Sequence, residues 1–140
     1  MLPESTKAYA AGLIDGEGWI GIAKTPGRCS LRVQVGMTDL GGVEFLQANF
    51  GGHLHLKRLR PPRKPLYEWR IYGQEASQFL RTITAYLTVK RPQAQLAIEF
   101  AMEAANQPRW NNKRGHSEVY KAYQDKAYQQ MKILNGRWAA

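Results

Sequence analysis

The chain has 140 residues, the size of one ordinary domain, and its hydrophobic content of 44% is enough for a packed core, which excludes wholesale disorder. The 20 Lys and Arg residues exceed the 11 Asp and Glu residues, giving a formal net charge of +9. This surplus favours a polyanionic partner, either nucleic acid or an anionic membrane, although a basic surface that only aids solubility would look the same. Cys29 is the single cysteine, which excludes an intrachain disulfide and a cysteine-based zinc cluster.

Membrane insertion and secretion find no support in the sequence. No apolar run approaches the roughly 20 residues that cross a bilayer. The segment Met1–Ser5 lacks the basic and apolar regions of a signal peptide. We therefore expect an intracellular protein, in the cytoplasm or an organelle matrix, that does not act in a membrane.

The first part of the chain predicts a helix, a hairpin of two strands and a second helix. Ser5 or Thr6 can cap the first helix, and Asp39 or Thr38 the second, which Gly51-Gly52 ends. The predicted ranges are helix 5–15, strands 19–24 and 30–35 around a turn at 25–28, and helix 39–50.

The next part repeats this order without clear sequence identity. Two alternating strands, 53–59 and 66–72, flank a stiff basic loop at 60–65. The helix that follows carries apolar residues at helical spacing: Ala76, Phe79, Leu80, Ile83 and Leu87.

The remainder is helical. Pro92 can open one helix, and Ser117 can cap a last helix that Gly136 stops, after a basic break at 106–116. We predict one domain over 1–140, with a core over about 5–105 and a helical addition over about 106–137, and we expect the final residues to be loose.

These elements predict an α+β fold with a four-stranded antiparallel sheet, helices on one face of it, and C-terminal helices. The other face carries polar side chains. An antiparallel sheet can leave one face in water, so this face could simply be solvated. However, Arg bonds guanine bidentately and Gln bonds adenine, which suits the reading of a DNA groove. The polar residues are Ser30, Arg32, Gln34, His55, Lys57 and Arg70.

The segment 10–18, AAGLIDGEG, is the most informative part of the sequence. A helix of small and apolar residues ends in two carboxylates, Asp15 and Glu17, separated by Gly16. Carboxylate oxygens are natural ligands of Mg²⁺, and a cation would relieve the placement of acids near the negative end of the helix dipole. The simpler interpretation is a glycine turn with two solvated acids.

The segment closely resembles the signature of the LAGLIDADG homing endonucleases, with Ala10 for the first Leu, Gly16 for Ala and Glu17 for the second Asp. The resemblance covers residues of about 5–105. Further segments look like family landmarks in the same order: 34–39 (QVGMTD), 50–52 (FGG), 67–70 (YEWR) and 86–94 (YLTVKRPQA).

The resemblance implies an αββαββα unit that lays its sheet along a major groove of double-stranded DNA. One motif copy implies a homodimer on a near-palindromic site, because a twofold protein matches a twofold sequence. The motif helices of two copies then pack together through Ala8, Ala11, Gly12 and Asp15. Asp15 is expected to cap or brace these helices rather than to bind metal directly.

The resemblance also implies the catalytic residues. Glu17 is the expected ligand of Mg²⁺ or Mn²⁺, aided by the backbone carbonyl of Gly16. Lys90 matches a basic residue at the edge of the active site that stabilises charge on the phosphate or polarises water, although it could be a surface lysine beside a helix. Gln34 is a candidate for ordering the active-site water, with Gln93 as an alternative, because Gly36 and Met37 stand where the family often has polar residues. Contact with DNA without catalysis is the preferred interpretation of Gln34.

The expected DNA-binding residues lie on the polar sheet face and at its margins. Zinc binding by His53, His55 or His116 is disfavoured because no ligand set surrounds them. Tyr67 and Trp69 are expected in the core, and Trp19 is open between core and base stacking. The full DNA-binding set is Arg28, Ser30, Arg32, Gln34, His55, Lys57, Glu68 and Arg70.

The sequence therefore predicts a site-specific, metal-dependent DNA endonuclease. The main alternative is a protein of the same fold without cleavage, either a transcription regulator or an RNA maturase that assists intron splicing. Retention of Glu17 and Lys90 argues against a pure binding protein, whereas a maturase could keep both. A basic protein of the membrane surface is disfavoured, because no strongly basic amphipathic helix is present.

Overall fold

The computed structural model describes residues 1–26, 28–107 and 116–136. It contains five α-helices and four strands in these ranges, with a short 3₁₀ turn at Thr84–Tyr86. The elements in chain order are α1 (Glu4–Glu17), β1 (Gly18–Thr25), β2 (Arg28–Met37), α2 (Leu40–Phe50), β3 (His53–Lys57), β4 (Leu66–Tyr72), α3 (Gly73–Ile83), α4 (Arg91–Ala105) and α5 (Glu118–Leu134).

The four strands form one antiparallel sheet in the order β1-β2-β4-β3. The two hairpins therefore meet at the centre of the sheet, where β2 pairs with β4. The register places Trp19 opposite Gln34, Gln34 opposite Arg70, and Arg70 opposite His53. The predicted αββαββα arrangement with C-terminal helices is confirmed.

One face of the sheet forms the core. Alternate residues of β2 and β4 are buried, including Val33, Val35 and Trp69, each with no exposed surface. Burial of one such side chain contributes roughly 1.5–3 kcal/mol. Trp69 also donates a hydrogen bond from Nε1 to the carbonyl oxygen of Gly51 at 2.7 Å, which satisfies its one polar atom. The prediction of a core position for Trp69 is thus confirmed.

Helices α2, α4 and α5 begin near the predicted residues, for the expected reasons, whereas α1 begins at Glu4 after Pro3 without a side-chain cap, so the prediction of Ser5 or Thr6 as its cap is wrong. Asp39 caps α2 by accepting a hydrogen bond from the Gly41 N–H at 2.8 Å, and Ser117 caps α5 by accepting one from the Tyr120 N–H at 3.2 Å. Pro92 lies in the first turn of α4.

Several boundaries differ from the prediction, and β2 extends two residues beyond the predicted strand at each end, from Arg28 to Met37. Helix α1 continues past Asp15 to Glu17, so both acids lie in its last turn. Strand β3 ends at Lys57, two residues early, and Leu87 is buried beyond the 3₁₀ turn rather than within α3. The prediction of loose final residues falls on 137–140, and most of the basic break falls on 108–115; both lie outside the described residues.

The C-terminal helix α5 packs on α4 and β1, and polar side chains tie its end to both. Gln93 donates from Nε2 to the Leu134 carbonyl at 3.1 Å and to Asn135 Oδ1 at 3.3 Å. Asn135 in turn donates from Nδ2 to the Ile20 carbonyl at 3.0 Å. Gln93 is therefore used in this junction. None of the helices in the described ranges combines the length and apolar character that crossing a bilayer requires.

Candidate active site and nucleic-acid interface

The end of α1 is held by the carboxylate of Asp15, which binds backbone N–H groups just before α4. Asp15 accepts three backbone hydrogen bonds, from Thr88 N–H at 2.8 Å, Val89 N–H at 3.1 Å and Lys90 N–H at 2.9 Å. Burial tends to raise the pKa of Asp15, but these three hydrogen bonds and the charge of Lys90 together lower it below its usual value. Asp15 thus joins the end of α1 to the start of α4.

Lys90 lies at the same junction. Its Nζ donates to the carbonyl oxygens of Ile14 and Asp15, both at 2.9 Å. A cation at this position is favourable because the last carbonyls of a helix carry its negative dipole end. Burial lowers the pKa of Lys90 below its usual value, and the charges of Asp15 and Glu17 oppose that shift. The ammonium group is therefore fixed beside both acids.

Glu17, in contrast, is exposed, and its carboxylate forms no hydrogen bond or salt bridge with the residues that the structure describes. Gly16 before it is also exposed. A carboxylate and a backbone carbonyl are hard oxygen donors of the kind that Mg²⁺ accepts, together with substrate phosphates and water. Within the described ranges no three residues among His, Cys, Asp and Glu form a group that could hold a metal ion.

The outer side of α1 is open and lined by small residues. Ala8, Gly12 and Gly16 are exposed, and a Cβ added at either glycine would meet no atom within 4 Å. The chain's own packing therefore does not require these glycines, although glycine in a helix costs about 1 kcal/mol relative to alanine. Ala11 is completely buried in the core, so it offers no surface to a partner.

The outer face of the sheet carries the other candidate residues. Because β-strand side chains alternate, residues of even number on β2 and β4 share this face. Gln34 and Arg70 stand side by side at its centre, and Arg28 is exposed at the start of β2. The outward residues of β3 are His53, His55 and Lys57, all exposed. The sequence-predicted DNA-binding residues are thus brought onto one surface.

A polar network crosses this face from β3 to β4. Glu68 contacts Arg70 Nη2 at 2.6 Å and Lys57 Nζ at 3.5 Å. Burial tends to raise the pKa of Glu68, but the two cations lower it below its usual value. Hydrogen bonds with Tyr72 and Glu68 raise the pKa of Arg70. Glu68 therefore lies between two cations and fixes the direction of Arg70.

Three buried polar atoms on this face have no hydrogen-bond partner among the described residues: Arg32 Nε, Gln34 Oε1 and Arg70 Nε. An unsatisfied buried polar group costs about 1–3 kcal/mol, and a bound water, ion or ligand can supply the missing partner. The sequence could identify these residues by their alternation, but it could not show that their polar atoms lack partners within the chain.

Two contacts at the site had no signal in the sequence. The carboxylate of Asp15 meets N–H groups 73 to 75 residues away in the chain, a tertiary contact that no local pattern announces. Trp19, left open between core and surface, lies on the outer face with its ring under the Arg32 guanidinium. Tyr67 is partly buried against the core, as expected.

The comparisons with known proteins agree with this architecture. No family model and no curated protein sequence matches the chain. Solved structures do. The homing endonuclease I-CvuI in complex with the I-CreI target has a TM-score of 0.74 at 18% identity, covering 94% of this chain and 82% of that one. The archaeal intron-encoded homing endonuclease I-Vdi141I, complexed with DNA, has 0.73 at 17% identity, covering 94% and 84%.

A longer protein has the same unit as part of its chain. The LAGLIDADG meganuclease I-AabMI, bound to uncleaved DNA, has a TM-score of 0.63 at 20% identity, covering 91% of this chain and 42% of that one. The chain therefore has the fold of the LAGLIDADG homing endonucleases. This finding is consistent with the family resemblance of the AAGLIDGEG segment.

Proposed function

We propose that the chain is a site-specific DNA endonuclease that acts as a homodimer and uses a divalent metal ion. One observation carries the proposal: the Glu17 carboxylate, which has no partner among the described residues, lies at the exposed end of α1, where its charge acts on the ammonium group of Lys90. A protein that only binds DNA needs no such pair. Several solved structures of this fold are complexes with DNA, which supports double-stranded DNA as the substrate.

Glu17 and the Gly16 carbonyl would hold the metal, with DNA phosphates and water as the other ligands. When bound, Mg²⁺ or Mn²⁺ would supply a Lewis acid for the scissile phosphate and a water of lowered pKa. Lys90 stabilises negative charge on the phosphate, because its ammonium group is already fixed at the helix end. Asp15 holds this geometry through its three backbone hydrogen bonds. Gln34, on the sheet face, is assigned to DNA contact rather than to the ordering of water.

The homodimer follows from what one chain lacks. A single Glu17 offers one carboxylate, whereas cleavage of both strands needs a site at each scissile phosphate. The open side of α1 at Ala8, Gly12 and Gly16 would allow the same helix of a second copy to approach closely, bringing the two acidic ends together. The twofold pair would match a near-palindromic site.

The outer sheet face would then contact bases in the major groove. Arg32, Gln34 and Arg70 have polar atoms without partners, and bases can supply those partners. The positive charge of two chains would make binding strongly dependent on salt. The residues proposed for DNA contact are Arg28, Ser30, Arg32, Gln34, His55, Lys57, Glu68 and Arg70.

A cleavage screen on a randomised duplex library, with Mg²⁺ and with EDTA, tests this function. We expect cleavage of a small set of related sites with Mg²⁺ only, and each site should be close to twofold symmetric. Selective binding without cleavage under either condition would overturn the endonuclease and favour a regulator. Preference for structured RNA over every duplex would favour a maturase.

A further inference from the structure

Trp19 has an unusual position on the outer sheet face. It lies near the start of the edge strand β1, and its ring extends along the strand over Gly21. A Cβ added at Gly21 would approach the ring carbon Cζ2 to 2.1 Å, a distance that atoms cannot adopt. The indole therefore occupies the space that the side chain of any other residue at position 21 would fill. The ring packs directly against the backbone of Gly21.

The ring in turn supports Arg32. In the β1–β2 register Arg32 is directly opposite Gly21, and its guanidinium carbon lies over the Trp19 ring, 5.2 Å from the centroid. Stacking of this kind uses the flat face of the guanidinium and leaves the N–H donors at its edge available. Arg32 Nε is buried and has no partner among the described residues. The guanidinium is thus held in one orientation while its donors stay free.

Gln34, the neighbour of Arg32 on the same face, also has a buried polar atom without a partner among the described residues. Gln34 is directly opposite Trp19, and the atom is its Oε1. Trp19 therefore lies next to two side chains, Arg32 and Gln34, that each have a polar atom without a hydrogen-bond partner among the described residues. Because Arg carries donors and Gln carries both donors and acceptors, the pair fits the edge of a base pair better than a phosphate, which only accepts.

We propose that Trp19 is a positioning residue for sequence specificity: the indole on Gly21 aims the Arg32 guanidinium at a guanine in the major groove. The inference rests on the proposed function, which supplies the DNA. A free arginine side chain can turn to the nearest phosphate, which gives affinity without sequence information. An arginine held over a ring loses that freedom and keeps the fork that matches guanine O6 and N7.

The experiment compares variants of Trp19 and Gly21 on the duplex obtained from the library screen and on duplexes with single base-pair changes. For Trp19→Ala we expect discrimination at one base pair in each half-site to fall about tenfold. Affinity for unrelated duplex should hardly change, because the charge is kept. Trp19→Phe keeps a ring and should retain most of the discrimination. Thermal unfolding of each variant shows that it is folded.

A double-mutant cycle tests the contact between the Trp19 ring and Gly21. Gly21→Ala should displace the ring and reduce discrimination as Trp19→Ala does. In the Trp19→Ala background, however, Gly21→Ala should add little, because no ring remains to be displaced. If the two substitutions reduced discrimination additively, the contact between the Trp19 ring and Gly21 would not be responsible for it.

Two further results would overturn the inference while leaving the proposed function in place. One is Trp19→Ala that discriminates as well as the wild-type chain. The other is an equal loss of affinity on every duplex, which would make Trp19 a structural or phosphate-contacting residue. A wild-type chain that selects no duplex would instead overturn the proposed function, and the inference with it.

Discussion

At the junction of α1 with α4, Asp15 accepts three hydrogen bonds and Lys90 donates two of its three N–H groups, so most of these polar atoms find partners within the chain. On the outer sheet face, by contrast, Arg32, Gln34 and Arg70 each keep a buried polar atom without a partner among the described residues. Both regions are polar and border the same strands. They differ in whether the partners come from the chain or from outside it.

Under the proposed function, the difference indicates that the junction positions catalytic groups, whereas the sheet face binds the ligand. A junction with satisfied polar groups is rigid, and it fixes the position of the exposed Glu17 carboxylate relative to Lys90. A face with unsatisfied donors and acceptors gains most when a ligand arrives, because binding removes a penalty that the free protein bears. Variants that change one region at a time test this difference.

The largest effect is expected at Glu17, whose carboxylate has no partner in the described part of the chain. Glu17→Gln should lower the cleavage rate by roughly 10³-fold, because several kcal/mol of transition-state stabilisation are lost with a metal ligand. Binding to the duplex should be largely kept, since side-chain volume hardly changes. Glu44→Gln, at an exposed position on α2, is the matched control. Cleavage by Glu17→Gln at the wild-type rate with Mg²⁺ would show that Glu17 is not the ligand.

The next effect concerns the rigidity of the junction. Asp15→Asn leaves one oxygen acceptor for three N–H donors and places an NH₂ group among them, so we expect a loss of about 1.5–3 kcal/mol in the free energy of unfolding. Urea unfolding measures it. Asp39→Asn is the control. The Asn side chain keeps an oxygen that can accept the hydrogen bond from the Gly41 N–H, and Asn caps a helix as well as Asp does. Equal losses for both variants would contradict the special role of Asp15.

The open side of α1 allows a test with two effects of opposite sign. Gly12→Leu should stabilise the isolated chain by roughly 0.8 kcal/mol, because Leu is a better helix former and meets no atom there. The same change should weaken the homodimer at least tenfold, about 1.4 kcal/mol, by keeping two helices apart. Sedimentation at several concentrations measures the second effect. Ala48→Leu, on the exposed side of α2, should leave association unchanged.

The smallest effect concerns the network on the sheet face. Folding lowers the pKa of Glu68, so its carboxylate contributes stability that is present above the unfolded pKa of about 4.3 and lost as pH falls through the lower folded pKa. The difference in unfolding free energy between the wild type and Glu68→Gln should therefore shrink on acidification below about pH 4.3. Its size should be about 1 kcal/mol or less, because the partner side chains Lys57 and Arg70 are 59% and 29% exposed and water screens their charges.

Urea unfolding from pH 3 to 6 measures this difference. Glu118→Gln is a control at a side chain that is 91% exposed and should not change the shape of the curve. A Glu68 difference that stays constant or grows toward low pH would contradict the assigned contacts with Arg70 and Lys57.

Much of the fold could be predicted from local patterns. The alternation along β2 and β4 separated the buried face from the polar one, because each residue of a strand points opposite to its neighbours. Asp39, Pro92 and Ser117 marked helix starts, because helix ends impose chemical requirements on single residues. These features depend on residues close in sequence, which is why the sequence alone could reveal them.

Other features depend on contacts that local patterns do not encode. On α1, small residues occur on both sides, so spacing could not show that Ala11 is buried while Gly12 is exposed. The position of Trp19 depends on the register of β1 against β2 and on Gly21 beneath its ring. The partners of Asp15 lie beyond α3, so only the packed structure brings them together.

The central claim is that two copies of the chain bring their Glu17 turns together on one duplex. Native mass spectrometry of the chain with its selected duplex and Ca²⁺ measures the stoichiometry directly. We predict two chains per duplex, and Gly12→Leu should reduce the population of that complex. A complex saturated with one chain per duplex would contradict the claim.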